Sequence, residues 1–266
     1  MKIKTDNYEI YKGDCLELMK DIPDKSVDMI LCDLPYGTTK CSWDIVIPFN
    51  ELWKQYNRII KDNGAIVLFS SQPFTTDLIN SNRFMFRYDI IWNKMYGTDF
   101  ALANKKPMKA HEIICVFYKK QPTYNKQMIK REKPIDTTNW KQDKRNSKNG
   151  NINSKEIHKG KYEYKNPTTV YELNMAKGEC NNSKRVHPTQ KPVDLLEYLI
   201  KTYTNEGETV LDNCMGSGST GVACINTDRK FIGIELDDKY FEISKSRLNE
   251  AVEKKEELLK VFDKSN

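Results

Sequence analysis

The sequence predicts an α/β protein built on a mostly parallel sheet with one inserted basic segment. Three observations carry this. Short apolar runs alternate with stretches of helical period through most of the chain, the pattern of strand–helix–strand units. Two of those runs end in chemistry. Val27–Cys32, broken only by Asp28, leads into Asp33-Leu34-Pro35-Tyr36-Gly37, and Thr209–Leu211 leads into Asp212 and a glycine-rich turn. Between them, residues 119–185 hold 17 Lys and Arg against 7 Asp and Glu, so the rest of the chain is net negative although the whole carries +6. The chain therefore divides into segments 1–118, 119–185 and 186–266.

The 266 residues are 38% hydrophobic and 11% aromatic, enough to bury a core in one large domain or one domain with an insert. The longest apolar runs fall well short of a membrane span. Met1–Asp6 lacks the apolar core of a secretory leader. The seven cysteines show no C-x-x-C spacing and several lie within apolar runs, which predicts a reducing, cytoplasmic setting and no metal site.

Taken in order, Ile10–Cys15 begins as a strand and Leu16–Met19 as a helical turn. Asp14 between them is either a ligand acceptor or an N-cap. After the Asp33 strand, Thr38–Asp44 is polar and carries Trp43, the composition of a loop over a site. Pro48–Ile60 places Phe49, Leu52, Trp53, Tyr56 and Ile59 at helical spacing, with Asn63-Gly64 as the expected stop. Ala65–Phe69, Tyr88–Trp92 and Ile113–Tyr118 read as strands and Phe74–Asn80 as a helix. Lys94–Lys109 has no period and reads as a loop. His111, with no Ser or Cys nucleophile motif near it, is more simply a loop histidine than a catalytic one.

In 119–185 the apolar period survives only around Val170–Leu173, and Trp140, Tyr162, Tyr164 and Tyr171 are interleaved with basic residues. Basic side chains hold phosphates while aromatic and polar groups meet bases, so a nucleic acid is the natural partner; a solvated insert has the same composition. Val193–Tyr203 then reads as a helix entered at Pro192, with Leu195, Leu196, Leu199 and Ile200 as its buried stripe.

Asp212-Asn213-Cys214-Met215-Gly216-Ser217-Gly218 leaves one strand and enters a helix through Ala223. Such glycines let backbone amides approach a ligand closely. Lys230–Ile234 is the next strand, and Glu235 ends it, where an acid can accept both hydroxyls of an adenosine ribose or favour the following helix N-terminus. Gly216, Gly218 and Gly221 also satisfy the dinucleotide spacing, which admits a nicotinamide oxidoreductase. Asp212 at the strand end and the lack of a hydride-transfer site argue against it. The last helix, Asp238–Phe262, has Phe241, Leu248, Val252, Leu259 and Phe262 at helical spacing.

Asp33-Leu34-Pro35-Tyr36 resembles the [DNS]-P-P-[YFW] motif of amino methyltransferases, departing only at Leu34, where a backbone carbonyl is what the motif uses. With His187-Pro188-Thr189-Gln190-Lys191-Pro192 and the Asp212–Gly218 turn downstream, the motif order is similar to that of the permuted β-class amino DNA methyltransferases. The resemblance runs from about Gly13 to Arg247. It implies a Rossmann-like methyltransferase sheet, S-adenosylmethionine as cofactor and double-stranded DNA as substrate, with 119–185 as target-recognition region. It further implies Asp33, Leu34, Pro35 and Tyr36 at the base. Asp14 and Cys15 fall at the cofactor adenine, Glu235 at its ribose, and Lys191, Asp212, Gly216, Ser217 and Gly218 at the methionine moiety, with Asp33 also among the cofactor-binding residues. Asp at the first motif position goes with adenine N6 in this group. Cytosine N4, an RNA base and a silent DNA-binding protein of the same fold are the alternatives. A homodimer and a cognate restriction endonuclease are the partners such proteins take.

Overall fold

The computed structural model describes residues 1–38, 44–139, 160–173 and 190–263. Residues 39–43 with Trp43, His187–Thr189 of the His187–Pro192 stretch, and Trp140 therefore lie outside the described residues. The chain forms two compact units, one of 1–125 with 169–266, the other of 126–168.

Among the described residues the larger unit has one nine-stranded sheet in the order β1-β2-β11-β10-β3-β4-β6-β5-β9. The strands are β1 (Lys2–Lys4), β2 (Tyr8–Lys12), β3 (Val27–Asp33), β4 (Ile60–Ser70), β5 (Phe86–Thr98) and β6 (Lys109–Phe117), with β9 (Val170–Glu172), β10 (Thr209–Asp212) and β11 (Lys230–Glu235). From β2 through β11, β10 and β3 to β4 every pairing is parallel, whereas β6 runs antiparallel to both β4 and β5. The two sequence-distant halves meet at the centre, where Val210 pairs with Met29 and Leu211 with Ile30. From that seam the chain winds outward in opposite directions, through β4 on one side and β11 on the other. Open α/β sheets bind ligands beyond the carboxyl ends of strands at such a reversal.

Helices cover both faces: α1 (Cys15–Leu18), α2 (Phe49–Ile59) and α3 (Phe74–Ser81) come before the insert, and α4 (Val193–Tyr203), α5 (Ser219–Asn226) and α6 (Asp238–Asp263) after it. The alternation of β3 decides the layers. Met29 and Leu31 face the core built with α4, α5 and α6, and Ile30 and Cys32 face the one built with α2 and α3. The α4 stripe of Leu195, Leu196, Leu199 and Ile200 is buried as expected, each such side chain being worth roughly 1.5–3 kcal/mol. In α6, Phe241 and Leu248 are buried but Leu259 is 56% exposed, so the apolar stripe outruns the sheet it packs on.

Three expectations change. Asn63-Gly64 does not end α2, because Ile60 caps it and the chain enters β4 at once. Gly64 serves close approach instead: a Cβ there would lie 2.7 Å from the Asp28 carbonyl oxygen. Lys94–Lys109 is only partly loop, since β5 continues to Thr98, which pairs with Lys109. His111 is within β6, opposite Asn93, and exposed.

The smaller unit contains β7 (Ile129–Asp136) and β8 (Lys161–Lys165), paired antiparallel from Ile129↔Lys165 to Asp136↔Lys161. Arg131 Nε donates to the Tyr164 carbonyl at 3.3 Å, and Thr137 N to the Gly160 carbonyl at 2.9 Å. Every residue of β8 is exposed, including Tyr162 and Tyr164, which stand among Lys161 and Lys165. The polar composition hid this pair, because neither strand buries a face and no period of two is imposed.

Candidate active site

Asp33 closes β3 at the seam. Its Oδ1 accepts the Tyr36 phenol at 2.7 Å, and its Oδ2 accepts the Lys191 ammonium. Pro35 and the left-handed Gly37 (φ 67°) turn the chain there, while the Asp44 carboxylate holds the turn from beyond through the Gly37 and Thr38 amides at 2.8 and 2.9 Å. The Tyr36 ring rests on Phe74, centroids 5.0 Å apart. Burial raises the proton affinity of Asp33, Lys191 opposes that, and the Glu112 charge adds to it.

Lys191 was expected at the methionine moiety, and the structure places it on Asp33. Its ammonium also lies 3.4 Å from Glu112 Oε2, and Glu112 Oε1 pairs with Lys94 at 2.5 Å. Asp33, Lys191, Glu112 and Lys94 thus form a string of alternating charge across the ends of β3, β6 and β5. Its cations also sit over aromatic faces, Lys191 over Phe69 and Lys94 over Trp92 at 5.0 and 5.2 Å. Burial disfavours the Glu112 charge, but Lys191 and Lys94 outweigh it and hold the carboxyl down at about 2. Neither Glu112 nor Lys94 carries a motif signal. Each reads as an ordinary polar residue of a strand, and only the fold brings them to Lys191.

Across the seam, Asp212 ends β10 and organises the glycine turn. Its Oδ2 accepts the Thr220 hydroxyl at 2.7 Å and its Oδ1 the Cys214 amide at 3.1 Å. Burial pushes its carboxyl up to about 6. Gly216 and Gly218 are both left-handed (φ 52° and 78°), and a Cβ on Gly218 would stand 2.9 Å from that of Ser244 on α6. The α6 residue Arg247 clamps the same turn, donating to the Ser217 carbonyl at 2.6 Å and to the Ser219 hydroxyl at 3.0 Å. Spacing gave no signal for this arginine.

Glu235 lies against that turn, its Oε2 accepting the Gly216 amide and its Oε1 the Asp237 amide, each at 2.8 Å. Burial raises its proton affinity. The acid thus stands at the glycine turn and holds the amide of Asp237, whose own carboxylate accepts the Tyr240 amide at 3.0 Å at the entry to α6. Asp14 caps α1, its Oδ1 accepting the Leu16 and Glu17 amides at 2.8 and 3.2 Å. The Cys214 thiol beside Cys15 lowers the pKa of Cys15. Asn213 Oδ1 accepts the phenol of Tyr56, a buried α2 residue, at 2.6 Å.

The donor set suits a nucleoside cofactor with a charged amino-acid tail. It comprises a glycine turn at a parallel strand end that side chains would obstruct, a carboxylate at the next strand end with lone pairs beyond its two amides, and a second carboxylate beneath the turn. Across the seam from it, Asp33 ends β3 and Leu34 follows it into the turn.

Comparison with known proteins agrees with this arrangement. A DNA methylase family model, N6_N4_Mtase, matches residues 27–246. The chain belongs to this family of DNA methyltransferases. It is 31% identical over 271 residues to the DNA adenine methyltransferase YhdJ of Escherichia coli, covering 95% of this chain and 86% of that one. It is 29% identical to the Type II methyltransferase M2.MboI of Moraxella bovis, covering 92% and 88%. The solved M1.HpyAVI–SAM complex superposes with a TM-score of 0.62 at 26% identity, over 91% of this chain and 99% of that one. The cytosine-N4-specific PvuII methyltransferase shares the fold alone, with a TM-score of 0.63 at 17% identity.

Proposed function

We propose that the protein is a site-specific DNA adenine-N6 methyltransferase, taking the methyl group from S-adenosylmethionine and acting on an adenine turned out of the duplex. The observation that carries this is the Asp33 carboxylate at the end of β3, one strand away from the glycine turn that follows β10.

An exocyclic adenine amine is a poor nucleophile because its lone pair is spread into the ring. Acceptors at both of its hydrogens favour the tetrahedral geometry needed for attack and stabilise the positive charge that develops. Asp33 and the Leu34 carbonyl fill those places, and Pro35 sets the turn that aims them. Tyr36 stacks on the base. Extrusion costs a few kcal/mol and one aromatic stack returns about 1–3 kcal/mol, so phosphate contacts must contribute. The basic unit 126–168, with Lys130, Lys133, Lys161 and Lys165 exposed on its two strands, supplies those contacts as the target-recognition region.

S-Adenosylmethionine supplies an electrophilic methyl group, so the protein's own task is to bind and orient. Glu235 takes the ribose hydroxyls, with Asp14 and Cys15 at the adenine. Asp212, Gly216, Ser217 and Gly218 hold the methionine moiety. The Type II relatives support a cognate restriction endonuclease as partner, and we retain a homodimer as the assembly.

Adenine is preferred on the Asp at the first motif position and on the adenine methyltransferase relative; a carboxylate serves the cytosine amine equally well in chemical terms. The test is transfer of labelled methyl to unmethylated genomic DNA, followed by nucleoside digestion and mass spectrometry. Label in N6-methyladenine supports the reading. Label in N4-methylcytosine reverses the substrate, and DNA binding without label leaves a silent DNA-binding protein.

A further inference from the structure

Both oxygens of the Asp33 carboxylate are already taken, Oδ1 by Tyr36 and Oδ2 by Lys191. A target amine needs one of them. Lys191 is the cation to be displaced, and simple displacement would strand an ammonium whose side chain is only 10% exposed. Stranding a buried charge costs several kcal/mol, so a free Asp33 requires somewhere for Lys191 to go.

The structure holds such a place. Among the described residues Glu112 Oε2 is buried and accepts no hydrogen bond, its one cation being the Lys191 ammonium in a loose ion pair at 3.4 Å. Its sister oxygen is fixed by Lys94, which orients the carboxylate towards Lys191. Buried polar atoms are rarely left unpartnered in a native protein, and one facing a cation that must move is a vacant berth. We propose that Glu112 is a positioning residue that receives Lys191 from Asp33, so that a short swing of one ammonium opens the catalytic carboxylate to the target amine. No proton moves in the exchange and the four-group string stays neutral throughout. This inference rests on the methyltransferase reading above.

The groups facing Asp33 are Lys191 before α4, Glu112 on β6, Tyr36 after β3 and Asp212 on β10, while Lys94 on β5 acts through Glu112. Two measurements test the hand-off, one of them independent of turnover. The first is the titration of the Asp33 carboxyl by carbon NMR, assigned with Asp33→Asn. In Glu112→Gln the repulsion from Glu112 is gone and Lys191 commits to Asp33, so the Asp33 midpoint moves down by at least about one pH unit. An unmoved midpoint overturns the coupling.

The second is methyl transfer to DNA by Glu112→Gln, Lys191→Met and the double variant, with thermal unfolding confirming that each folds. Glu112→Gln turns over at least about tenfold more slowly at unchanged S-adenosylmethionine affinity. The double variant, having no ammonium to park, recovers several-fold over Glu112→Gln. A double variant slower than either single variant overturns the hand-off, because a merely structural Glu112 gives additive losses. A wild-type protein that transfers no methyl group counts against the methyltransferase reading, and the titration then decides the coupling by itself.

Discussion

The phenol of Tyr56, buried in α2, donates to Asn213 Oδ1 at 2.6 Å across 157 residues of sequence. One bond thus ties the helix packed behind β3 to the turn expected to hold the cofactor. Tyr56→Phe leaves the amide oxygen buried without a donor, at about 1–3 kcal/mol. Thermal unfolding should register the loss, and calorimetric titration should show weaker S-adenosylmethionine binding with the DNA affinity preserved. Unchanged cofactor affinity would detach Asn213 from the site.

Asp33→Ala should abolish methyl transfer while sparing cofactor binding, because the partners of this carboxylate are Tyr36 and Lys191 and not the glycine turn, and the proposed reading gives it the target amine. Normal turnover by this variant would sink the assignment. Single-turnover transfer measured beside equilibrium binding separates the two steps.

Gly218→Asp should lose the cofactor. The residue is left-handed, and a Cβ would press on Ser244. A non-glycine residue in that conformation costs roughly 1–3 kcal/mol before the clash is counted, and an added carboxylate repels a carboxylate tail. Unimpaired S-adenosylmethionine affinity would mean the site lies elsewhere.

Asp212 makes a pH prediction. Its folded pKa, about 6, lies above the ordinary carboxyl value of 3.8, so the folded state binds more protons between those limits. The contribution of this group is therefore fully present below about pH 4 and is lost as pH rises towards 6, by an amount of order 2–3 kcal/mol. Relative to Asp212→Asn, the wild type should lose stability over that interval in denaturant titrations. A flat difference between the two would show that the buried carboxyl is not titrating there.

Replacing Lys130, Lys133, Lys161 and Lys165 by Gln should weaken DNA binding uniformly across sequences. It should also reduce the slope of log affinity against log salt by about 0.9 for each phosphate contact removed. Cofactor affinity should not respond. A salt slope unaltered by all four changes would move the DNA footprint off β7 and β8.

How much of this was legible in the sequence depends on whether a residue's reason is local. The range of α4 follows from a local period and Pro192, and residues 193–203 are helical as expected. Asp33 and the glycine turn are contiguous motifs and could be found without a structure. Gly64 misled because its reason is tertiary, the closeness of the Asp28 carbonyl, while Asn-Gly reads locally as a helix stop. Glu112 and Lys94 were illegible for the same cause. Their meaning is a third charge, Lys191, supplied from 79 residues beyond Glu112, and no window spans that distance. Arg247 is the long-range equivalent on the cofactor side. The β7–β8 pair failed differently, since strands without a buried face carry no hydrophobic signature to read.

The seam between β3 and β10 has a consequence for how such a protein can be encoded. Asp33 and the glycine turn become neighbours through strand pairing alone, Met29 with Val210 and Ile30 with Leu211. Covalent succession plays no part in bringing them together. A gene that presented the two halves in reverse order would assemble the same chemistry at the same seam. Motif order is thus a matter of chain connectivity, and the seam itself is indifferent to it.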